Sequence, residues 1–366
     1  MSRQSRRTFM LQASAVAASP IILSSVTRAM SKTSNRKLGF AICGLGELAE
    51  GQIAPALQKT EHCWLAGIIT DNPGKAQAWQ AKYGVPEKNV YSYDSMDKMA
   101  GNSDIDVVYI VTPNALHLGH TLKAAAAGKH VLCEKPLEIS ADRCQQMIDA
   151  CKAAKRKLAV AYRCQFDANN LECIRLARSK EFGELRLIEA SACVPKTEAN
   201  QWRLKRALSG GGALMDLGIY ALQAARYIAG EEPILVSAIE TKTNPVKYSE
   251  VEEAVVWQMK FPSGVLAYCS TSFESVQIAR YRAIAERGWF ELEPAFDFSG
   301  IHGRRSDGKE IALPSGDQFA AEMDDFARCI LNDEPSKVSG EEGLRDVKIV
   351  TAIYESMKTG NAVALS

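Results

Sequence analysis

The sequence carries no excess of charge of one sign: 44 lysines and arginines stand against 43 aspartates and glutamates, a formal net charge of +1. The electrostatic footprint of a nucleic-acid binder is therefore missing, and nothing would draw the chain to an acidic membrane surface. The expected partner is a small molecule. No C-x-x-C pair occurs, and ten cysteines scattered through 366 residues are too sparse for a disulfide-built scaffold, with no spacing that points to a zinc site. Several sit in apolar runs, where a thiol behaves as a small buried hydrophobe. Internal repeats are absent. The apolar stretch 11–26 is broken by serines, a proline and a glutamine, and it is shorter than the roughly 20 residues a membrane anchor needs. What is present, 46% hydrophobic and 24% charged residues, is ordinary globular composition, and the length argues for two domains.

Residues 2–10 read S-R-Q-S-R-R-T-F-M, and the stretch that follows ends near the small-residue site Thr27-Arg28-Ala29. This is the layout of a signal peptide. Arg6-Arg7, followed by Phe9 and Met10-Leu11, has the pattern of a twin-arginine signal, an address read by export machinery rather than an anchor. The expectation is a removable segment 1–29, a short arm 30–36 and a periplasmic mature protein. The segment holds four of the 44 basic residues, so the processed chain would be mildly acidic.

From residue 37 the pattern is strand, glycine turn, helix. The apolar run 37–43 leads into Gly44-Leu45-Gly46-Glu47-Leu48-Ala49 and a periodic segment reaching Leu57. Strands at 63–70, 106–111, 130–133 and 157–161 alternate with helices at 75–83, 117–127 and 141–154, which predicts a doubly wound parallel Rossmann sheet over 37–161. The second half, 162–366, has another rhythm. A helix at 168–179 precedes long strand-like runs at 185–194, 234–243, 254–261, 265–273 and 282–292, with a helix inserted around 214–228. Those runs read as a large open, mostly antiparallel sheet in an α+β domain, closed by amphipathic helices at 318–331 and 340–358.

In G-x-G-x-x-A the first glycine permits a tight turn, the second lets a pyrophosphate approach the backbone, and the small third residue lets helix pack on strand. Here the motif follows a strand and opens a helix, so Gly44, Leu45, Gly46, Glu47 and Leu48 are candidate cofactor residues. After the second strand an acid would select free ribose hydroxyls and a cation a 2′-phosphate. Thr70 stands where the acid is expected and Lys75 lies one turn on, which favours NADP over NAD, while Asp71 opposes it unless it points away.

Three further segments fall at strand ends, where ligands bind in such sheets. They are Thr112-Pro113-Asn114-Ala115-Leu116-His117, Glu134-Lys135-Pro136, and Gly210-Gly211-Gly212-Ala213-Leu214-Met215-Asp216-Leu217-Gly218-Ile219-Tyr220. A helix starting near Gly212 would project Asp216 and Tyr220 from one face. With Ala127-Gly128-Lys129-His130-Val131-Leu132-Cys133, Ala161-Tyr162-Arg163-Cys164 and Gln201-Trp202-Arg203-Leu204-Lys205-Arg206, these segments make the chain resemble the Gfo/Idh/MocA oxidoreductase family over 37–363. Within it the chain is similar to the glucose-fructose and aldose-aldose oxidoreductases.

The resemblance implies that Lys135 contacts both nicotinamide ribose and the reacting hydroxyl, that Asp216 orients the sugar, and that Tyr220 exchanges the proton. Many relatives have His at the Tyr220 position, and Tyr is typical of the sugar–sugar oxidoreductases. A phenol titrates near pH 10, so a cation such as Lys135 is needed for it to act as base near neutrality. Thr112, Asn114, His117, Glu134 and Arg163 are expected around the cofactor, and Arg163, Trp202 and Arg203 around the sugar. His117 could equally cap its helix. Dimerisation through the open sheet is the family habit. The arm is shorter than in glucose-fructose oxidoreductases, and selectivity for the second sugar is expected in the loop 194–200.

Free nicotinamide nucleotide is not supplied outside the cytoplasm, so an exported member would carry its cofactor across and restore it with a second substrate. That points to ping-pong chemistry in which one aldose leaves as a lactone and another sugar as an alditol. An aldose 1-dehydrogenase with exchangeable NAD(P) is the alternative, and a non-catalytic sugar or nucleotide sensor is a second one.

Overall fold

The computed structural model describes residues 36–196, 198 and 201–365; the expected signal 1–29 and the arm up to residue 35 lie outside the described residues. The run Leu-Gly-Phe-Ala-Ile-Cys has no polar position, which suits a parallel strand covered on both faces. It forms β1 (Leu38–Cys43), buried along its whole length. A glycine turn leads through a wide helical turn (Ala49–Ile53) into α1 (Ala54–Leu57). The alternation continues with β2 (Cys63–Ile69), α2 (Pro73–Tyr83), β3 (Val90–Tyr91), β4 (Val107–Ile110), α3 (His117–Ala126), β5 (His130–Glu134), α4 (Ala141–Ala153) and β6 (Leu158–Ala161). The six strands are parallel in the order β3-β2-β1-β4-β5-β6, and the reversal of order between β1 and β4 opens a crevice at their C-terminal ends. The edge strand β3 has no counterpart in the sequence pattern, because two residues carry no periodicity.

Next come α5 (Ala168–Arg178), β7 (Leu185–Cys193), α6 (Arg206–Ser209) and a second wide turn (Leu214–Gly218) that runs into α7 (Ile219–Ala229). Then follow β8 (Leu235–Thr241), β9 (Ala254–Lys260), β10 (Leu266–Ser272), β11 (Ile278–Ala285), β12 (Gly288–Leu292), β13 (Gly303–Arg305) and β14 (Glu310–Ile311). Two long helices, α8 (Gln318–Leu331) and α9 (Gly340–Thr359), and the short β15 (Val363–Ala364) end the described chain. Nine strands form one sheet in the order β14-β13-β12-β11-β7-β10-β9-β8-β15, antiparallel throughout except between β7 and β10. Buried and outward positions alternate along β9, as in a sheet covered on one face only.

The expected single strand 282–292 is two strands. Along β11 the buried residues are Tyr281, Ala283 and Ala285, whereas on β12 they include Phe290 and Leu292. The inward set changes from odd to even positions, which an uninterrupted strand cannot accommodate. The chain folds back instead at Glu286-Arg287, pairing Ala285 with Gly288.

The last helices tie the two sheets together. Phe319, Met323, Phe326 and Ala327 of α8 belong to the core of the first sheet although they follow the second in sequence. On α9, fully buried Asp346 accepts from Tyr162 at the end of β6 (2.6 Å) and from Gln223 of α7 (2.9 Å), and pairs with Arg226 (2.5 Å). Phe326→Ala should destabilise the protein by about 3–5 kcal/mol in equilibrium unfolding. An unchanged unfolding midpoint would contradict the place given to α8 in the first core.

Candidate active site

Between β1 and the wide turn the chain reverses within a few residues. Gly44 has φ +101°, and a Cβ there would stand 2.8 Å from the Val111 carbonyl oxygen after β4, so a side chain is excluded. At Gly46 a Cβ would meet nothing within 4 Å, because this edge of the turn faces a cavity of about 1000 Å3. Gly44 to Leu48 line that cavity, with Thr70 from the turn after β2, Lys75 from the first turn of α2, Thr112 and Asn114 from the turn after β4, and Glu134 and Lys135 at the end of β5. A nucleotide-sized space over a glycine turn at the strand-order reversal fits the dinucleotide expected there.

The residues after β2 are held individually. Asp71 accepts from the Tyr93 backbone amide at 2.9 Å, and Asn72 caps α2 by accepting from the Lys75 amide at 3.0 Å. The Lys75 ammonium donates to the Leu45 carbonyl at 2.7 Å, tying the second turn to the first.

His117 departs from expectation. It is fully buried and lines neither cavity; Nδ1 lies 3.2 and 3.0 Å from the carbonyl oxygens of Pro136 and Leu137, and Nε2 lies 2.9 Å from that of Thr112. Burial pushes its pKa down, although the carbonyls act the other way. With both nitrogens facing backbone, it joins the loops after β4 and β5 and does not reach a cofactor.

A second cavity, about 540 Å3, adjoins the first. Glu134, Lys135, Arg203, Asp216, Leu48 and Phe298 line both. Arg163 and Tyr220 line the smaller one alone, and Trp202 the larger one alone. Two expectations are thereby corrected. Arg163 is not on the nucleotide side, because its guanidinium is drawn inward to the Phe296 carbonyl (2.6 Å), the Asp297 carbonyl (3.0 Å) and Gln318 Oε1 (2.9 Å). Trp202 is not in the sugar-sized space; it opens the short helical turn Trp202–Leu204 before α6 and carries Arg203 over its ring.

Asp216 lies in the wide turn before α7. Glu252 holds the start of that segment, its Oε1 accepting from the amides of Gly212 (2.8 Å) and Leu214 (2.9 Å) and from the Tyr354 hydroxyl (2.9 Å). Single wide turns of this kind recur at functional sites. Lys135 Nζ donates to the Asp216 carbonyl at 2.8 Å, lies 3.7 Å from Asp216 Oδ1, and stands 4.7 Å from the centre of the Tyr220 ring. Arg203 Nε (3.1 Å) and Lys196 Nζ (3.5 Å) flank Asp216 Oδ2. Burial alone would raise the Asp216 pKa, but Arg203, Lys135 and Lys196 outweigh it and hold the carboxyl well below the ordinary range. For Lys135 burial likewise opposes the charge, yet Tyr220, Asp216 and Glu134 prevail and the ammonium is stabilised. Lys196 falls in the loop where selectivity was expected, but no motif singles it out. Phe298 stands in an irregular segment whose sequence gives no signal at all.

Two family models match this chain: the oxidoreductase family GFO_IDH_MocA, NAD-binding Rossmann fold, over residues 38–162, and the GFO/IDH/MocA C-terminal domain over residues 171–291. D-xylose 1-dehydrogenase (NADP(+)) of Haloarcula marismortui is 30% identical over 334 residues, covering 89% of this chain and 92% of that protein. D-glucoside 3-dehydrogenase of Escherichia coli is 26% identical, covering 90% and 97%. Among solved structures, the aldose-aldose oxidoreductase of Caulobacter crescentus, complexed with glycerol, is 41% identical with a TM-score of 0.88, covering 90% of this chain and 100% of that one.

Asp216→Asn should lower stability at neutral pH by about 3 kcal/mol, since three cations would face a neutral amide. Because the folded carboxyl titrates below its unfolded value of about 3.9, its contribution is complete above that pH and is lost as pH falls towards the folded value. Unfolding measured at neutral and at strongly acid pH should show the gap between wild type and variant closing in acid; a gap that widens there contradicts the assignment.

Proposed function

Because the chain belongs to the Gfo/Idh/MocA oxidoreductase family, we propose that it is an NADP-dependent aldose oxidoreductase that retains its cofactor and couples two sugar half-reactions. One observation carries this reading: a nucleotide-sized and a sugar-sized cavity meet at Lys135 and Asp216, with Tyr220 on the sugar side. The similarity to an aldose-aldose oxidoreductase and to an NADP(+) xylose dehydrogenase supports both substrate class and cofactor.

In this reading the turn Gly44–Leu48 takes the pyrophosphate, and Thr70 with Lys75 faces the 2′-phosphate while Asp71 is held towards the Tyr93 amide. Thr112, Asn114 and Glu134 border the nicotinamide end, and Trp202 covers the nucleotide. The chemistry supplied by a bound nicotinamide is storage of a hydride between the two sugars. Tyr220 takes the proton of the C1 hydroxyl of a cyclic aldose, with the Lys135 ammonium held over its ring, and Asp216 accepts from a neighbouring hydroxyl. The first sugar leaves as a lactone. Tyr220 then returns the proton to the carbonyl oxygen of a second sugar, which leaves as an alditol. Arg163 and Arg203 fix the walls around these positions.

The export reading joins the same scheme. All ten cysteines are buried and free, which suits a chain that folds in a reducing compartment and crosses by the twin-arginine route with cofactor in place. A second copy of the chain is proposed to cover the outward face of the second sheet, where Ile239, Val256, Leu266 and Tyr268 are exposed.

Protein purified without added nucleotide should show bound nicotinamide absorbance, and glucose alone should yield lactone and alditol in equal amounts. Empty protein, active only with added NADP, would replace this scheme by a dehydrogenase with exchangeable cofactor. Tyr220→Phe and Lys135→Ala should each lower turnover at least about 100-fold while nucleotide stays bound; full activity in both variants would remove the assignment.

A further inference from the structure

Behind Lys135, Glu134 is joined to two buried side chains, Tyr109 and Glu322, that have no part in the proposed reaction. Tyr109 of β4 is fully buried, Glu322 of α8 is 2% exposed and Glu134 is 8% exposed. The Tyr109 hydroxyl oxygen stands 3.1 Å from Glu134 Oε1 and 2.9 Å from Glu322 Oε1. A phenol carries one hydrogen. It can donate to one carboxylate, and at the other contact the hydrogen has to come from a carboxyl group. Two ionised carboxylates joined by one hydroxyl would also be two anions withdrawn from water, an arrangement buried pairs avoid by keeping one proton.

The surroundings fix where that proton can go. Glu134 Oε2 accepts from the Lys135 amide at 3.2 Å, and the Lys135 charge favours its ionised form. Glu322 Oε2 is buried without a hydrogen-bond partner. Asp317, at the start of the same helix, adds negative charge; Arg163 acts on both carboxyls from a distance, its guanidinium being engaged by Phe296, Asp297 and Gln318. Burial and the neighbouring Glu134 push Glu322 well above the usual carboxyl range, while burial raises Glu134 against the pull of Lys135. Tyr109, between them, is raised as well, by burial first and then by the two carboxyls, and stays protonated.

We propose that Glu322, Tyr109 and Glu134 form a one-proton relay behind Lys135, in which Glu134 alternates between carboxylate and acid as a single proton moves within the trio. As the Glu322 carboxyl O–H bond breaks and its proton passes to the Tyr109 oxygen, the Tyr109 hydroxyl proton passes to Glu134 Oε1; nothing is oxidised or reduced, and the trio keeps its net charge. With the proton on Glu322, Glu134 contributes a negative charge at the junction of the two cavities. With the proton on Glu134 that charge withdraws to Glu322, and Lys135 is left to Tyr220 and Asp216. The relay therefore adjusts the charge beside the reacting centre in step with charge appearing or disappearing there. Only that coupling rests on the proposed nicotinamide site; the shared proton does not.

Infrared spectroscopy of the protein as purified, in mildly alkaline buffer where ordinary carboxyls are ionised, tests this directly. The difference between the wild-type and Glu322→Gln spectra should show a carboxylic-acid C=O stretch that carbon-13 labelling of glutamate displaces and that the variant lacks, because the amide can donate to Tyr109 and leave Glu134 ionised. Adding a sugar to nucleotide-loaded protein should shift the band, as the proton changes carboxyl; Tyr109→Phe should keep an acid band that no longer moves. A wild-type spectrum without the labelled band, or a band that survives Glu322→Gln, overturns the relay. So does a wild-type band that stays fixed in protein shown to carry nucleotide and convert sugar, an outcome that leaves the proposed function standing. Conversely, nucleotide-free protein with the band present retains the shared proton and removes the proposed function.

Discussion

An ammonium withdrawn from water stays charged only where opposite charge and acceptors wait for it. Lys135 comes to rest between the ends of two sheets, and what meets it there is contributed by the second half of the chain: the Asp216 carbonyl, the Asp216 carboxylate and the Tyr220 ring. The arrangement binds in both directions. Asp216, largely enclosed by Lys135, Lys196 and Arg203, is held as an anion by them, and they in turn depend on it. Glu252 fixing the start of the wide turn, Gln318 drawing Arg163 inward and His117 joining two loops all serve to keep these charges in register.

The parts of the fold legible in the sequence are those with strong local patterns. Continuous apolar runs ending in glycine turns place β1, β4 and β5, and strict alternation places β9, because burial on two faces or on one leaves a distinct periodicity. The pattern is silent where an element is too short, as at β3, and misleading where two strands adjoin through a polar pair, as at Glu286-Arg287. The candidate site divides similarly. Gly44, Lys135, Asp216 and Tyr220 stand in motifs whose spacing has a physical reason, and they line two adjoining cavities.

Residues that act through tertiary contacts alone were not legible. Lys196 is one lysine in a polar loop until β7 carries it beside Asp216, and Glu322 is one carboxylate in an amphipathic helix until α8 delivers it to Tyr109. Trp202 illustrates the reverse error. The resemblance places it around the sugar, yet the short turn before α6 sets it on the wall of the larger cavity. A side chain's type limits its possible partners, but direction is set by backbone that sequence patterns do not encode.

The position of α8 has a consequence for the order of assembly. Its apolar residues complete the core of a sheet whose first strand begins near residue 38, and the Cys63 thiol donates to the carbonyl of Met323, 260 positions later. The half of the protein made first is therefore finished almost last. A chain released or threaded away before α8 exists would present the uncovered side of β2 and α1 to its neighbours. Contacts that close over such distances form slowly, so the first sheet gains its full cover only after nearly the whole chain has been made.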